Sequence, residues 1–152
     1  MSITELPPIT TTPMYERLSE KRKAVVVQEL NNLLGARHVL HSPYDLMLYE
    51  YDASIDRSRP DIVVLPATTE EVASIVKIAA RHHVPVVPRG AGTGLSGGAI
   101  PIYGGIVIVF TRMNRILEVD YENLRAVVQP GLVNLHLSVA LQPKGFYYVP
   151  DP

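Results

Sequence analysis

The chain of 152 residues has no cysteine, so disulfides, iron–sulfur clusters and thiol catalysis are excluded within it. It also lacks any apolar stretch near the roughly 20 residues needed to span a bilayer. Its longest clean apolar run, Ile106 to Phe110, has the length of a strand. Met1 to Pro13 has neither the basic n-region nor the apolar h-region of a secretory signal. That stretch reads as a polar, Pro-containing tail, and the default compartment is the cytoplasm. An excess of either charge is missing too: 14 Lys and Arg face 15 Asp and Glu, for a formal net charge of -1. Such a balance provides no general pull towards nucleic acid or an anionic membrane. Lys21-Arg22-Lys23 is too small a basic cluster for a binding patch and reads as a solvated helix start. The five histidines, His38, His41, His82, His83 and His136, form no metal spacing with acidic neighbours and read as structural or surface residues.

What is present suits one globular domain with a proper core, since 47% of the residues are hydrophobic and 19% charged. Arg22 to Leu34 has helical periodicity, with Val26, Val27, Leu30, Leu33 and Leu34 on one face and Gly35 at the C-terminal cap. Arg37 to Arg59 is weakly periodic and reads as short elements and loop. Ile62 to Leu65 predicts a strand that Pro66 ends. Thr68 and Glu71 have capping-box spacing and predict a helix with Val72, Ile75, Val76 and Ala79 inward, ending near His82-His83. Val84 to Val87 predicts a second buried strand, which makes a β-α-β unit with parallel pairing and a right-handed crossover. Ile106 to Phe110 predicts a third strand. Ile116 to Asp120 and Arg125 to Gln129 predict two more, joined by a hairpin-length connection. Leu132 to Leu141 can form a helix with Leu132, Leu135 and Val139 on one side.

Seven of the ten glycines fall between two of these strands: Gly90, Gly92, Gly94, Gly97, Gly98, Gly104 and Gly105. Ordering them costs chain entropy, up to about 1 kcal/mol each relative to alanine, so the cluster needs a reason. One reading is a mobile surface loop. The other is an anion cradle, in which backbone N–H groups converge on phosphate oxygens where no Cβ intervenes and Thr93 and Ser96 add hydroxyl donors. The loop follows a strand at its carboxyl end, where α/β sheets bind ligands, and a diphosphate is the natural guest. Gly92-Thr93-Gly94-Leu95-Ser96-Gly97 satisfies the G-x-G-x-x-G dinucleotide fingerprint, but that fingerprint requires a helix opening inside the glycines. Gly98, Pro101, Gly104 and Gly105 forbid such a helix. A P-loop is excluded as well, because no Gly-Lys pair follows.

With its surroundings the loop resembles the FAD-binding domain of the FAD-linked oxidase family, also called the vanillyl-alcohol oxidase or PCMH-type flavoproteins. The matching residues run from Arg59-Pro60-Asp61 through Leu65-Pro66 and Thr69-Glu70-Glu71-Val72 to Val84-Pro85-Val86-Val87 and the loop Pro88 to Gly98. They continue through Arg112-Met113-Asn114-Arg115-Ile116 and Gln129-Pro130-Gly131 to Tyr148-Val149-Pro150-Asp151-Pro152. The resemblance implies an α+β fold: an N-terminal β-α-β subdomain followed by part of a second, mainly antiparallel α/β subdomain. It implies a tail over residues 1–20 and the N-terminal part of the FAD-binding domain over 21–152, with substrate and catalytic groups beyond residue 152.

The implied cofactor is FAD, held by Pro88, Arg89, Gly90, Ala91, Gly92, Thr93, Gly94, Leu95, Ser96, Gly97 and Gly98, with Pro150 and Asp151 approaching from the other side. Some family members attach the flavin through a histidine in this loop. None occurs here from Val84 to Leu135, so the expected FAD is non-covalent. Within the family the wording is nearest to the glycolate oxidase flavin subunit and the D-lactate and D-2-hydroxyacid dehydrogenases. That implies a small 2-hydroxy acid as substrate, hydride transfer to the flavin, and further oxidase subunits as partners. Tyr49, Tyr51 and Asp52 are candidates for the cofactor edge, and the tyrosines read equally well as core or surface residues. The rivals are another oxidase of the same fold, such as a cell-wall precursor reductase or an alditol oxidase, and a non-enzymatic nucleotide-binding domain.

Overall fold

A computed structural model describes residues 17–149. The elements in chain order are α1 (Glu20–Leu34), β1 (Val39–Leu40), α2 (Pro43–Leu46), β2 (Ile62–Val64), α3 (Thr69–Arg81), β3 (Val86–Arg89), β4 (Ile106–Val109), β5 (Ile116–Asp120), β6 (Arg125–Val128) and α4 (Asn134–Leu141). The tail expected over residues 1–20 lies outside the described residues up to residue 16. Leu18, by contrast, is buried in the core, and the Ser19 side chain caps α1 by accepting from the Arg22 N–H.

The strands β1-β2-β4-β3 form one sheet, in which β4 pairs in parallel with both β2 and β3. The expected β-α-β unit is therefore present in one sheet, but its two strands do not pair directly, because β4 enters between them. Burial explains the insertion. Ile106, Val107, Ile108 and Val109 are all at most 4% exposed, so both faces of β4 require cover and the strand takes the centre. β3 is an edge strand, not the buried strand expected, with Val86 37% exposed and Pro88 outward where no ladder N–H is needed. It also begins two residues later than expected, at Val86. Val84 bonds back to the Ala79 carbonyl at the end of α3, and Pro85 has no N–H to give.

Strand alternation sorts the core into two layers. Ile62, Val64, Ile106 and Ile108 meet Val26 and Leu30 of α1 and Ile75, Ile78 and Ala79 of α3. On the other face Val63, Val107 and Val109 meet Leu46 of α2, with Tyr49 packed against them. The helices keep the periods expected of them, with local differences. Gly35 closes α1 at φ 82°, its N–H on the Asn31 carbonyl. Thr68 accepts the Glu71 N–H at 3.2 Å, but the returning Glu71 carboxylate takes the Ala67 N–H at 2.6 Å, one residue earlier than a capping box requires. In α3 the inward position after Ile75 is Ile78, while Val76 is 44% exposed.

β5 and β6 form a separate antiparallel hairpin with an irregular register between Ile116 and Glu118. Its turn is closed by Asp120, which accepts from the Asn123 N–H at 3.0 Å and pairs with Arg125 at 2.8 Å. Helix α4 presents the opposite face to the one expected. Leu137 and Leu141 are buried, whereas Leu135 and Val139 are 67% and 58% exposed. An eight-residue helix apolar on most of its sides has no face that periodicity can single out.

Candidate functional site

The glycine loop leaves β3 at its carboxyl end and rejoins the sheet at β4, and no helix forms between them. Pro88, Gly90, Ala91, Gly92, Thr93, Gly94, Leu95, Ser96 and Gly98 line one cavity of about 370 Å³, together with Asp52 and Ala99. Ala99 escaped the sequence reading because the motif ends on a glycine and nothing in an alanine signals a site. Arg89 and Gly97 are not among the lining residues. Pro150 and Asp151 lie outside the described residues. A second cavity of about 380 Å³, between the hairpin and α4, is lined largely by apolar and aromatic side chains and offers no comparable run of backbone donors.

Two kinds of glycine meet in the loop. Gly92 is required by the protein itself: its φ is 74°, and a Cβ there would strike the Arg89 guanidinium. Gly94 and Gly98 have no such reason. A Cβ at either would meet nothing within 4 Å, and neither has positive φ. Their missing side chains keep space open on the cavity side. Among the described residues, no N–H from Ala91 to Gly98 makes a backbone–backbone hydrogen bond. A row of unengaged donors beside open space has the form of an anion cradle and fits a diphosphate.

A strap formed by Tyr49 to Ser58 holds the loop from behind. The Arg89 guanidinium is buried; it donates to the Tyr51 carbonyl at 2.8 Å and lies 5.8 Å over the Tyr49 ring. Tyr49, packed against the core, and Tyr51, at the surface, thus act on the loop through Arg89, in keeping with the core or surface reading, and neither lines this cavity. The Ala53 N–H donates to the Gly94 carbonyl at 3.2 Å, and the Ser58 hydroxyl to the Pro101 carbonyl at 2.7 Å. Asp52 is 6% exposed and takes the Ser54 N–H at 2.8 Å. The Ser54 hydroxyl and N–H hold the Asp52 carboxyl below the usual carboxylate range against the effect of burial, and the Ala99 N–H and the Arg89 charge add to this.

The other motifs in the resemblance prove to be structural ties. Asp61 accepts the Gly105 N–H at 2.7 Å, which ties the end of the loop to the start of β2. Arg112 donates to the Leu65 carbonyl at 2.6 Å, and Gln129 accepts the Arg115 N–H at 3.0 Å. Burial lowers the His38 pKa, with Arg112 and Arg37 contributing, and His82 meets Glu29 at 2.8 Å. Among the described residues no group of three His, Cys, Asp or Glu could hold a metal ion, and no helix is long and apolar enough to cross a membrane.

A mixed sheet covered by α1 and α3 on one face and by the short α2 on the other, a strand-to-strand glycine loop and a following hairpin is the architecture of PCMH-type flavoprotein domains. The structure overlays on p-cresol methylhydroxylase with substrate bound at a TM-score of 0.75 and 26% identity, covering 84% of this chain and 26% of that one. A 4-ethylphenol oxidase from Gulosibacter chungangensis, in its isoeugenol complex, overlays at 0.74 with 28% identity, covering 84% and 26% of the two chains. The particular family follows from the sequence match: residues 60–152 match the FAD binding domain family, and the chain belongs to it. FAD is accordingly the cofactor. The chain is 44% identical over 128 residues to the glycolate oxidase subunit GlcD of Bacillus subtilis (strain 168), covering 84% of this chain and 27% of that protein. It is 43% identical over 96 residues to a D-lactate dehydrogenase of Anaerostipes hadrus, covering 63% and 20%. The chain spans about a quarter of the length of the first of these relatives.

Proposed function

We propose that these residues form the diphosphate-holding part of a flavin-dependent oxidoreductase that oxidises a small 2-hydroxy acid to the 2-oxo acid. The observation that carries the cofactor site is the pair Gly94 and Gly98, glycines with neither strain nor crowding to explain them, set beside unengaged N–H groups. The loop from Pro88 to Gly98 surrounds the diphosphate, with Arg89 and Gly97 acting from behind and Pro150 and Asp151 contributing from the chain end. The substrate class rests on relatives named for glycolate and D-lactate, both 2-hydroxy acids. Bound FAD supplies the hydride acceptor, and the residues described here bind and orient it. No catalytic side chain is proposed among residues 1–152, and the location is proposed as cytoplasmic. A partner oxidase subunit accords with the relatives described as subunits.

The test is anaerobic reduction of bound FAD by glycolate and by D-lactate, monitored as bleaching of the flavin absorbance, in a protein that carries these residues together with the substrate-binding part proposed to lie beyond residue 152. Bleaching by at least one is expected, and a bound flavin inert to both would overturn the substrate class. With no histidine from Val84 to Leu135, the flavin is proposed to be dissociable. Acid precipitation should leave the yellow colour in the supernatant; colour retained in the pellet would refute the proposal.

A further inference from the structure

The strap holds the glycine loop firmly at its flanks and leaves its middle unsecured. Arg89 is tied to Tyr51, Gly94 to Ala53 and Pro101 to Ser58. Between Gly94 and Pro101 the loop's backbone bonding is local, the Ile100 N–H on the Gly97 carbonyl and the Ile102 N–H on the Ile100 carbonyl. Asp52 lines the cavity at this stretch, in company with Gly98 and Ala99.

One oxygen of this carboxylate has no use in the structure described. Oδ1 accepts the Ser54 N–H, but Oδ2 is buried without a hydrogen-bond partner. A buried acceptor without a donor is destabilising, and such an exception calls for an explanation. Position adds to the difficulty, since a carboxylate beside a diphosphate site repels the ligand unless it does something else there. The nearby donor is the Ala99 N–H, which lines the same cavity and helps lower the Asp52 pKa without making a hydrogen bond to Oδ2.

We propose that Asp52 is a positioning residue that latches the middle of the loop: when FAD fills the cradle, the Ala99 N–H closes onto the unpaired Oδ2. The latch rests on the FAD reading of the loop. Its strength comes from the Asp52 acceptors and not from any contact with phosphate. The carboxylate offers an oxygen to each of two backbone donors, Ser54 N–H and Ala99 N–H. Asparagine has a single acceptor oxygen, so one donor would face an NH2 group.

The experiment measures FAD affinity of the full chain by flavin fluorescence quenching, for wild type and Asp52→Asn, with amide hydrogen exchange over residues 95–99. Electrostatics alone predicts tighter FAD for Asp52→Asn, because a negative charge leaves the neighbourhood of a diphosphate. The latch predicts the opposite: FAD about tenfold weaker, as loss of one charge-assisted hydrogen bond implies. It further predicts that FAD slows exchange at Ala99 in wild type and not in the variant. Equal or tighter binding by Asp52→Asn, with wild-type protection at Ala99 unchanged by FAD, overturns the latch while leaving the FAD site intact. Absence of FAD binding by wild type overturns both. Should Asp52→Asn not fold, the wild-type exchange decides alone: slower exchange at Ala99 on addition of FAD is expected, and no slowing at saturating FAD overturns the proposal.

Discussion

The central strand β4 and the hairpin strand β6 are both rich in β-branched residues, yet they live in different surroundings. Ile106 and Val107 are 0% exposed, whereas Val127 and Val128 are 50% and 38% exposed. The same contrast separates the helices: α3 buries Ile75, Ile78 and Ala79 against the sheet, while α4 leaves Leu135 and Val139 outward. β4 is a strand because two layers of core enclose it. The hairpin is a strand pair because its turn chemistry at Asp120, Asn123 and Arg125 sets the register. Apolar content therefore does not reveal which element carries the stability.

The largest test of this contrast is a pair of truncations. Ile106→Ala should cost about 2–5 kcal/mol, since it opens a cavity between the sheet and helices α1 and α3. Val127→Ala should change stability by about 0.5 kcal/mol or less, as expected for a surface site. Urea unfolding of the two variants decides the matter, and equal losses would break the comparison.

Next in size is the glycine loop, where the two regions differ in purpose as well as stability. Gly94→Val should weaken FAD by about a hundredfold, which corresponds to roughly 2.7 kcal/mol, and leave the melting temperature of the FAD-free chain unchanged. Gly92→Val is the less informative variant, because its Cβ meets Arg89 at positive φ and would disturb the protein itself. A Gly94→Val chain that retains wild-type FAD affinity would show that the open space serves nothing.

A smaller effect concerns the start of α3. Thr68→Ala removes the acceptor for the Glu71 N–H and should cost about 1 kcal/mol. Helix α4 has no side-chain cap hydrogen bond at Val133, so Val133→Ser offers the converse measurement. A gain there as large as the Thr68→Ala loss would mean that α4 is limited by its cap and not by its packing.

The smallest expected effect is a pH dependence at the α1–α3 contact. Glu29 meets His82 at 2.8 Å and Arg81 at 2.6 Å, and these partners lower its pKa from the ordinary 4.5. A carboxylate with a lowered folded-state pKa contributes stability above about pH 4.5, and that contribution is lost as pH falls through the folded-state value. Glu29→Gln should flatten this acid limb of the melting temperature. An acid limb unchanged in the variant would place the loss elsewhere, with Asp52 and Asp120, whose pKa values are also lowered, as the next groups to examine.

Much of this was legible in the residues, and the reasons differ by element. Helix α1 announces itself by one apolar face and a closing glycine. Ile106 to Val109 announces a buried strand by an unbroken β-branched run. The insertion of β4 between β2 and β3 was not legible, because pairing order depends on burial from both sides at once. The strap was hidden for another reason. Tyr49 to Ser58 acts mainly through carbonyls, N–H groups and short polar side chains, whose identities carry little information about distant partners.

By itself the sequence determined the glycine loop, its place after a strand, and the absence of a helix within it, since those follow from local steric rules. It also determined the cofactor class, through motifs whose order and spacing match the FAD binding domain family. Only the tertiary structure decided which glycines serve the protein and which leave room for a ligand, and which way Arg89 and Asp52 turn. Those outcomes depend on residues far apart in the chain: Arg89 lies 38 positions from Tyr51, and Asp61 lies 44 from Gly105. Local pattern constrains a backbone over a few residues, whereas a close approach between distant segments exists only once the core has brought them together.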